Sequence, residues 1–308
     1  MIRLSIIVPF YNVEKYIEEC IRSLYDQDIP QSEYEVICVD DCSPDGSRAI
    51  VERLQKEYKT LRLVCHERNK KLGGARNTGL REARGVYVWF VDSDDAAYPN
   101  VLKSILDVAE KGNVDIMQFD YFRGGDIYRL PDQREDIQEG EEYLFEKTSD
   151  EWFYKVAGAW RQIFKRESLI NNGLLFIEDA MYEDTDYLIH AFLVANRVQY
   201  MPLLAYHYRI NQESILYSKT SPAKMAWRVN LIVRCKRNID IAKTAKAKEI
   251  IRLMIARSLS RIRIEIKWVP KMQRCAYARL VMPEINECKK YMNWRTWLAV
   301  RYGITIFV

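Results

Sequence analysis

No stretch of the 308 residues is apolar for long enough to span a bilayer, which takes roughly 20 such residues, so a fold built on membrane-spanning helices is excluded. The opening Met1-Ile2-Arg3-Leu4 runs straight into Ser5-Ile6-Ile7-Val8-Pro9, too short for a signal peptide and without a small-residue cleavage site. No leader is expected there. The seven cysteines are odd in number and show no C-x-x-C spacing. That argues against a disulfide framework or a zinc site and fits a reducing cytosol. A disordered tract is also missing: hydrophobic residues at 48% and charged ones at 29% describe a globular chain of one or two domains. The G-x-G-x-x-G spacing of a dinucleotide site does not occur, because the glycines of Leu72-Gly73-Gly74-Ala75-Arg76-Asn77-Thr78-Gly79 follow the third strand-like run rather than the first.

Charge is present but unevenly placed. Residues 1–223 hold 27 Lys and Arg against 38 Asp and Glu, a net of −11, whereas 224–308 hold 20 against 5, a net of +15. This shift predicts an acidic body over 1–223 and a basic, mostly helical region over 224–308. In the latter, apolar residues recur at Met254, Ile255, Leu259, Ile262, Ile266 and Val269, with Arg252, Arg257, Arg261, Arg263 and Lys267 on the polar side. Such a helix either packs on the body or lies on anionic lipid, helped by Trp268, Trp294 and Trp297. Nucleic acid is not an expected partner, since no recognised binding motif accompanies the charge.

Within the body, strand-like runs at Leu4–Val8, Tyr34–Val39, Leu61–Cys65 and Val86–Val91 alternate with helical patterns near Val13–Asp26, Ser47–Glu57 and Gly74–Arg84. The alternation predicts a mostly parallel, doubly wound α/β sheet with its ligand crevice at the carboxyl ends of the strands. Those ends carry Pro9-Phe10-Tyr11-Asn12, Asp40-Asp41, Glu67-Arg68-Asn69 and Asp92-Ser93-Asp94. Asp115–Tyr121 reads as a further strand, and Arg123 to Glu142 as a surface loop or small hairpin.

Two acidic centres stand out. The run Val86 to Val91 ends in Asp92-Ser93-Asp94-Asp95, and on an extended backbone Asp92 and Asp94 share a face that suits a hard cation, Mg²⁺ or Mn²⁺. The plain alternative is a polar turn leading into Pro99-Asn100. The second centre, Glu183-Asp184, precedes the helix-like Tyr187–Phe192, where a carboxylate also serves as an ordinary dipole partner. Arg76 is a permanent cation near the crevice, countering the carboxylates or reaching a diphosphate. His207 is a candidate metal ligand or a packed ring, Arg209 and Ser214 are candidate phosphate contacts, and Trp160 and His190 read as core.

Taken in order, Ser5-Ile6-Ile7-Val8-Pro9-Phe10-Tyr11-Asn12, Val39-Asp40-Asp41-Cys42-Ser43-Pro44-Asp45-Gly46-Ser47, Asn69 with Gly73–Gly79, Asp92-Ser93-Asp94-Asp95 and Glu183-Asp184 resemble an inverting family-two glycosyltransferase of the GT-A fold, of the bacterial surface-polysaccharide type. The resemblance covers roughly residues 3–215. It implies a UDP-sugar donor and a glycan or lipid-linked acceptor at the cytoplasmic membrane face. It places Pro9 and Asp41 at the uracil, Tyr11, Asn69 and Arg76 beside it, and Asp92 with Ser93 at the ribose. Asp94 would hold the metal on the diphosphate, with Arg209 and Ser214 nearby, and Asp184 would be the catalytic base supported by Glu183. The rival readings are a nucleotidyltransferase, which would release pyrophosphate, and a non-catalytic scaffold subunit of a glycan assembly complex.

Overall fold

The computed structural model describes residues 1–129, 135–145, 158–178, 183–210 and 222–252, with isolated positions from 255 to 289. Two compact units are present: Met1–Glu146 with Asp150–Asn211, and Gln212–Val308 with Lys147–Ser149.

The first unit is organised by β1 (Leu4–Phe10), of which every residue is buried. A strand apolar on both faces needs cover on both, which parallel neighbours linked by helices supply. Accordingly β1 pairs in parallel with β2 (Tyr34–Asp40) on one side and β4 (Tyr87–Phe90) on the other, and β2 pairs with β3 (Leu61–Cys65). Three helices make the crossovers: α1 (Ile17–Tyr25), α2 (Ser47–Leu54) and α3 (Lys71–Glu82). The stripe Ile17, Cys20, Ile21 and Leu24 turns α1 onto the sheet.

The rest of the sheet is mixed. After the short β5 (Ala96–Ala97) and the helix α4 (Leu102–Gly112), β6 (Ile116–Arg123) carries a small hairpin partner, β7 (Asp126–Tyr128). The short helix α5 (Gly140–Phe145) follows, and then β8 (Gln162–Lys165) enters between β4 and β6, antiparallel to both. Beyond α6 (Arg166–Asn171) and α7 (Glu183–Val194), β9 (Val198–Tyr208) pairs in parallel with β6 and antiparallel with β5. The order is β3-β2-β1-β4-β8-β6-β9-β5. The sequence pattern contains β4 and β6 but conceals β8, where Gln162 and Lys165 bracket only two apolar residues.

An aromatic column crosses this mixed half. Trp160, 7% exposed and therefore core, stacks on Tyr206 at 4.6 Å and meets the edge of Tyr121 at 4.7 Å; Tyr121 stacks on Tyr128 at 5.0 Å.

In the second unit, α8 (Pro222–Ile241) buries Leu231, Ile232, Cys235 and Ile239, a helical stripe, and the chain is helical again over 245–252. Among the described residues no helix is long and apolar enough to cross a membrane. Ile255 is buried. Ser214, the remaining stripe positions Met254, Leu259, Ile262, Ile266 and Val269, the cations Arg257, Arg261, Arg263 and Lys267, and Trp268, Trp294 and Trp297 lie outside the described residues.

Candidate active site

At the carboxyl end of β4 the backbone leaves the sheet and turns back, the Asp95 N–H donating to the Asp92 carbonyl at 3.1 Å. Ser93 and Asp95 are buried while Asp92 and Asp94 are partly exposed. Asp95, 2% exposed, works inside the turn. Its carboxylate accepts the Tyr206 hydroxyl at 2.7 Å and the Arg209 N–H at 2.8 Å. The same Tyr206 oxygen accepts the Asp92 N–H at 3.2 Å. Burial, with the charges of Asp92 and Asp94 behind it, pushes Asp95 up to about 8. The turn thus brings three carboxylates close together, one of which, Asp92, also meets Arg76. That suits a hard cation, and a pair of carboxylates is what Mg²⁺ or Mn²⁺ ordinarily takes from a protein when substrate phosphates supply the remaining ligands. The donor set of Asp92 and Asp94 fits such an ion. Among the described residues no three His, Cys, Asp or Glu side chains are arranged to hold a metal ion.

His207 does not join the pair. Strand alternation sends Tyr206 to the acidic turn and His207 to the opposite face, where its ring packs against Phe122 at 5.3 Å and Tyr98 at 6.3 Å. Burial, followed by Arg209, lowers its pKa. Arg209 itself is drawn to the turn: its Nε donates to the Asp94 carbonyl at 2.9 Å, and its guanidinium meets Glu19 at 2.8 Å.

The second acidic centre opens α7. Glu183 is 6% exposed and accepts Arg76 Nη1 at 2.8 Å, while Arg76 Nη2 reaches Asp92 Oδ1 at 2.7 Å. Arg76 is only 2% exposed. Its guanidinium counters carboxylates of both acidic centres, one of the two roles expected of it. The ion triad brings together two acidic centres about ninety residues apart in sequence. Desolvation pushes Glu183 up to about 7, against Arg76 and with Asp184. Part of Asp184 reaches solvent, yet its carboxyl sits in a dense setting; desolvation raises its pKa, Arg76 opposes and Asp92 adds.

Arg76 sits here because α3 is fitted to what lies on it. A Cβ at Gly79 would come within 2.2 Å of Ile7 Cγ2 on β1, and one at Gly73 within 2.2 Å of the Ile177 carbonyl. The glycines serve close packing, not a phosphate cradle. Asn77 completes the fit, donating to the Phe176 carbonyl and accepting the Phe176 N–H, both at 2.8 Å.

A third cluster closes the parallel edge. Asp41, 3% exposed, accepts the Lys70 N–H at 2.7 Å and lies 2.8 Å from His66 Nδ1; Asn69 donates to the Asp41 carbonyl at 3.0 Å. The other nitrogen of His66 meets the Thr78 hydroxyl at 2.9 Å. Pro9, next to last in the buried β1, lies opposite Val39, and Tyr11 just past the strand is 49% exposed. His66 and Tyr206 were not among the expected site residues. His66 carries the signal the other loops carry, a polar residue just past a strand end; Tyr206 carries none, being an aromatic in a strand.

Residues 5–169 match the family model described as glycosyl transferase family 2. The chain belongs to that family. Its fold agrees: the crystal structure of Staphylococcus aureus TarS residues 1–349 in complex with UDP-GlcNAc superposes with a TM-score of 0.76 at 22% identity, covering 99% of this chain and 89% of that one. In sequence the chain is 34% identical over 234 residues to an uncharacterized glycosyltransferase, EpsJ, of Bacillus subtilis, and 31% over 221 residues to the S. aureus poly(ribitol-phosphate) beta-N-acetylglucosaminyltransferase TarS. These alignments take in 71% and 69% of this chain but 64% and 36% of those proteins. The chain is therefore a family-two glycosyltransferase of GT-A fold, with the acidic turn, the Arg76 triad and the Asp41 cluster along one sheet edge.

Proposed function

We propose that the protein is an inverting glycosyltransferase that moves a sugar from a UDP-sugar to a hydroxyl of a glycan or lipid-linked acceptor in cell-surface polysaccharide synthesis. The observation that carries this reading is the Arg76 bridge, which ties a cation-suited carboxylate pair to a carboxylate pair with raised pKa values. The names of relatives, including the glucosaminyltransferase TarS, support the surface-glycan class.

In this mechanism Pro9, Tyr11, Asp41 and Asn69 seat the uracil, with Asp41 held by His66, and Asp92 and Ser93 take the ribose. Asp94 with Asp92 would hold Mn²⁺ or Mg²⁺, which supplies Lewis-acid stabilisation of the leaving diphosphate. Asp184 accepts the acceptor hydroxyl proton as that oxygen bonds to the anomeric carbon and the carbon–oxygen bond to UDP breaks. A carboxylate of raised pKa is the better base near neutrality. Arg209 holds the Asp94 carbonyl and the Asp95 carboxylate, and with Ser214 is assigned to the diphosphate. Residues 1–223 carry the transfer. The basic 224–308 region is assigned to peripheral contact with anionic lipid at the inner membrane face, tested by co-sedimentation with anionic vesicles at low salt.

A panel of nucleotide sugars with Mn²⁺ tests the donor: a UDP-sugar should raise the melting temperature and release UDP on transfer. In calorimetry Asp94→Ala should lose the Mn²⁺-dependent part of UDP binding. Retention of that part, or release of pyrophosphate instead of UDP, overturns the proposal.

A further inference from the structure

The mixed half of the sheet brings a further group of side chains to the crevice edge, one that the proposed chemistry leaves unused. Strands β4 and β6 both run antiparallel to β8, and β9 runs parallel to β6, so the carboxyl ends of β4, β6 and β9 share one edge. On β6 and β9 that edge is reached by Arg123 and Tyr208, opposite each other in register, and the Arg123 guanidinium lies over the Tyr208 ring at 5.0 Å. Tyr128 stands across β6 on β7, its ring stacked on Tyr121 at 5.0 Å. Trp160 backs the group, 4.7 Å from Tyr121 and 5.4 Å from Tyr208. Arg123, Tyr128 and Tyr208 are partly exposed. Trp160 accepts the Trp89 N–H through its carbonyl at 2.7 Å, while its own indole N–H donates to no described residue. Gly158 lies against that edge of the ring: a Cβ there would come within 2.4 Å of Nε1.

Phenol rings offered half-buried beside a guanidinium and an indole N–H suit a saccharide. The apolar C–H face of a pyranose packs on an aromatic ring, and its hydroxyls accept from N–H donors. The two tyrosines flank β6 and so stand two strand spacings apart, roughly 10 Å, the reach of two linked pyranose rings. They are not equivalent. Burial, with Asp95 and Asp92 behind it, pushes the Tyr208 phenol well up, so that ring lies within the field of the acidic turn and Tyr128 is the outer one. The donor nucleotide is assigned to the Asp41 side of that turn, and in sheet order β6 and β9 lie on the other side of β4. Resting on the function proposed above, we infer that Arg123, Tyr128, Trp160 and Tyr208 form an acceptor subsite for a saccharide of at least two rings, the ring to be glycosylated beside Tyr208 and the preceding one beside Tyr128.

The test uses the full chain with Mn²⁺, the UDP-sugar selected by the donor panel, and p-nitrophenyl monosaccharide and disaccharide glycosides as acceptors, with transfer to the glycoside and to water followed separately. Judged on kcat/KM, the wild type should prefer disaccharides to monosaccharides. Tyr128→Ala should remove that preference, a loss of about tenfold on disaccharides that exceeds any loss on monosaccharides or on hydrolysis. Tyr208→Leu and Arg123→Gln should raise the acceptor KM in both classes by more than they weaken UDP binding in calorimetry. Should Tyr208→Leu not fold, Arg123→Gln and Tyr128→Ala carry the test. A defect that falls as heavily on UDP-sugar KM or on hydrolysis, equal losses on both glycoside classes in Tyr128→Ala, or a wild type that hydrolyses the donor yet uses no glycoside overturns the inference. A wild-type protein that neither binds UDP nor releases it from a UDP-sugar overturns the underlying function instead.

Discussion

The two halves of the sheet hold their crevice residues in different ways. In the parallel half, β3-β2-β1-β4, Asp41 is fixed by His66, Asn69 and Lys70, which lie 25 to 29 residues away, the span of one strand-helix-strand unit. In the mixed half Asp95 is held by Tyr206 and Arg209, and Glu183 by Arg76, partners 107 to 114 residues distant. The first arrangement comes with the local crossover. The second exists only when β8 and β9 have closed the sheet, so substitutions there should be felt in chemistry and stability together.

The largest expected effect separates the halves most sharply. Asp184→Asn should lower kcat by roughly 10²- to 10⁴-fold, the usual worth of a general base, and leave UDP affinity unchanged. Because the base must be ionised, wild-type transfer should decline as pH drops through the raised Asp184 pKa, and a pH–rate profile reads this directly. A flat acid limb would break the comparison. Next comes Tyr206→Phe, which leaves a buried Asp95 oxygen and the Asp92 amide without their shared hydroxyl. It should cost about 1–3 kcal/mol in denaturant unfolding and also slow transfer. His66→Ala removes one contact to Asp41 in the parallel half and should weaken UDP binding on the order of fivefold, with kcat little changed. The smallest effect belongs to the surface pair Arg48–Glu52, both about half exposed; Arg48→Ala should leave the melting temperature and the transfer rate as they are.

The same contrast explains what could be read in advance. Strands β1 to β4 were legible because each is an apolar run ended by polar loop residues, whereas Asp92 to Asp95 form a turn, the plain alternative to the extended backbone on which alternation would apply. The Glu183-Asp184 pair was legible as a helix start. Strand β8 was not, and without it nothing in the sequence says that Arg76 faces Glu183 rather than a diphosphate. His207 stayed open between ligand and packed ring because a histidine near aromatics reads the same on either face of a strand until the register is known. The packing role of Gly73 depends on Ile177, a hundred residues on, and no local pattern announces it.

The stacked Trp160–Tyr206 pair gives the molecule an optical consequence. The phenol in contact with that indole is hydrogen-bonded to the backbone and side chain of the acidic turn, so a change of charge there alters the local field around the chromophore. On the function proposed, nucleotide or ion arriving at the turn should change the intrinsic emission, with no label attached, and Trp160→Phe should remove that change.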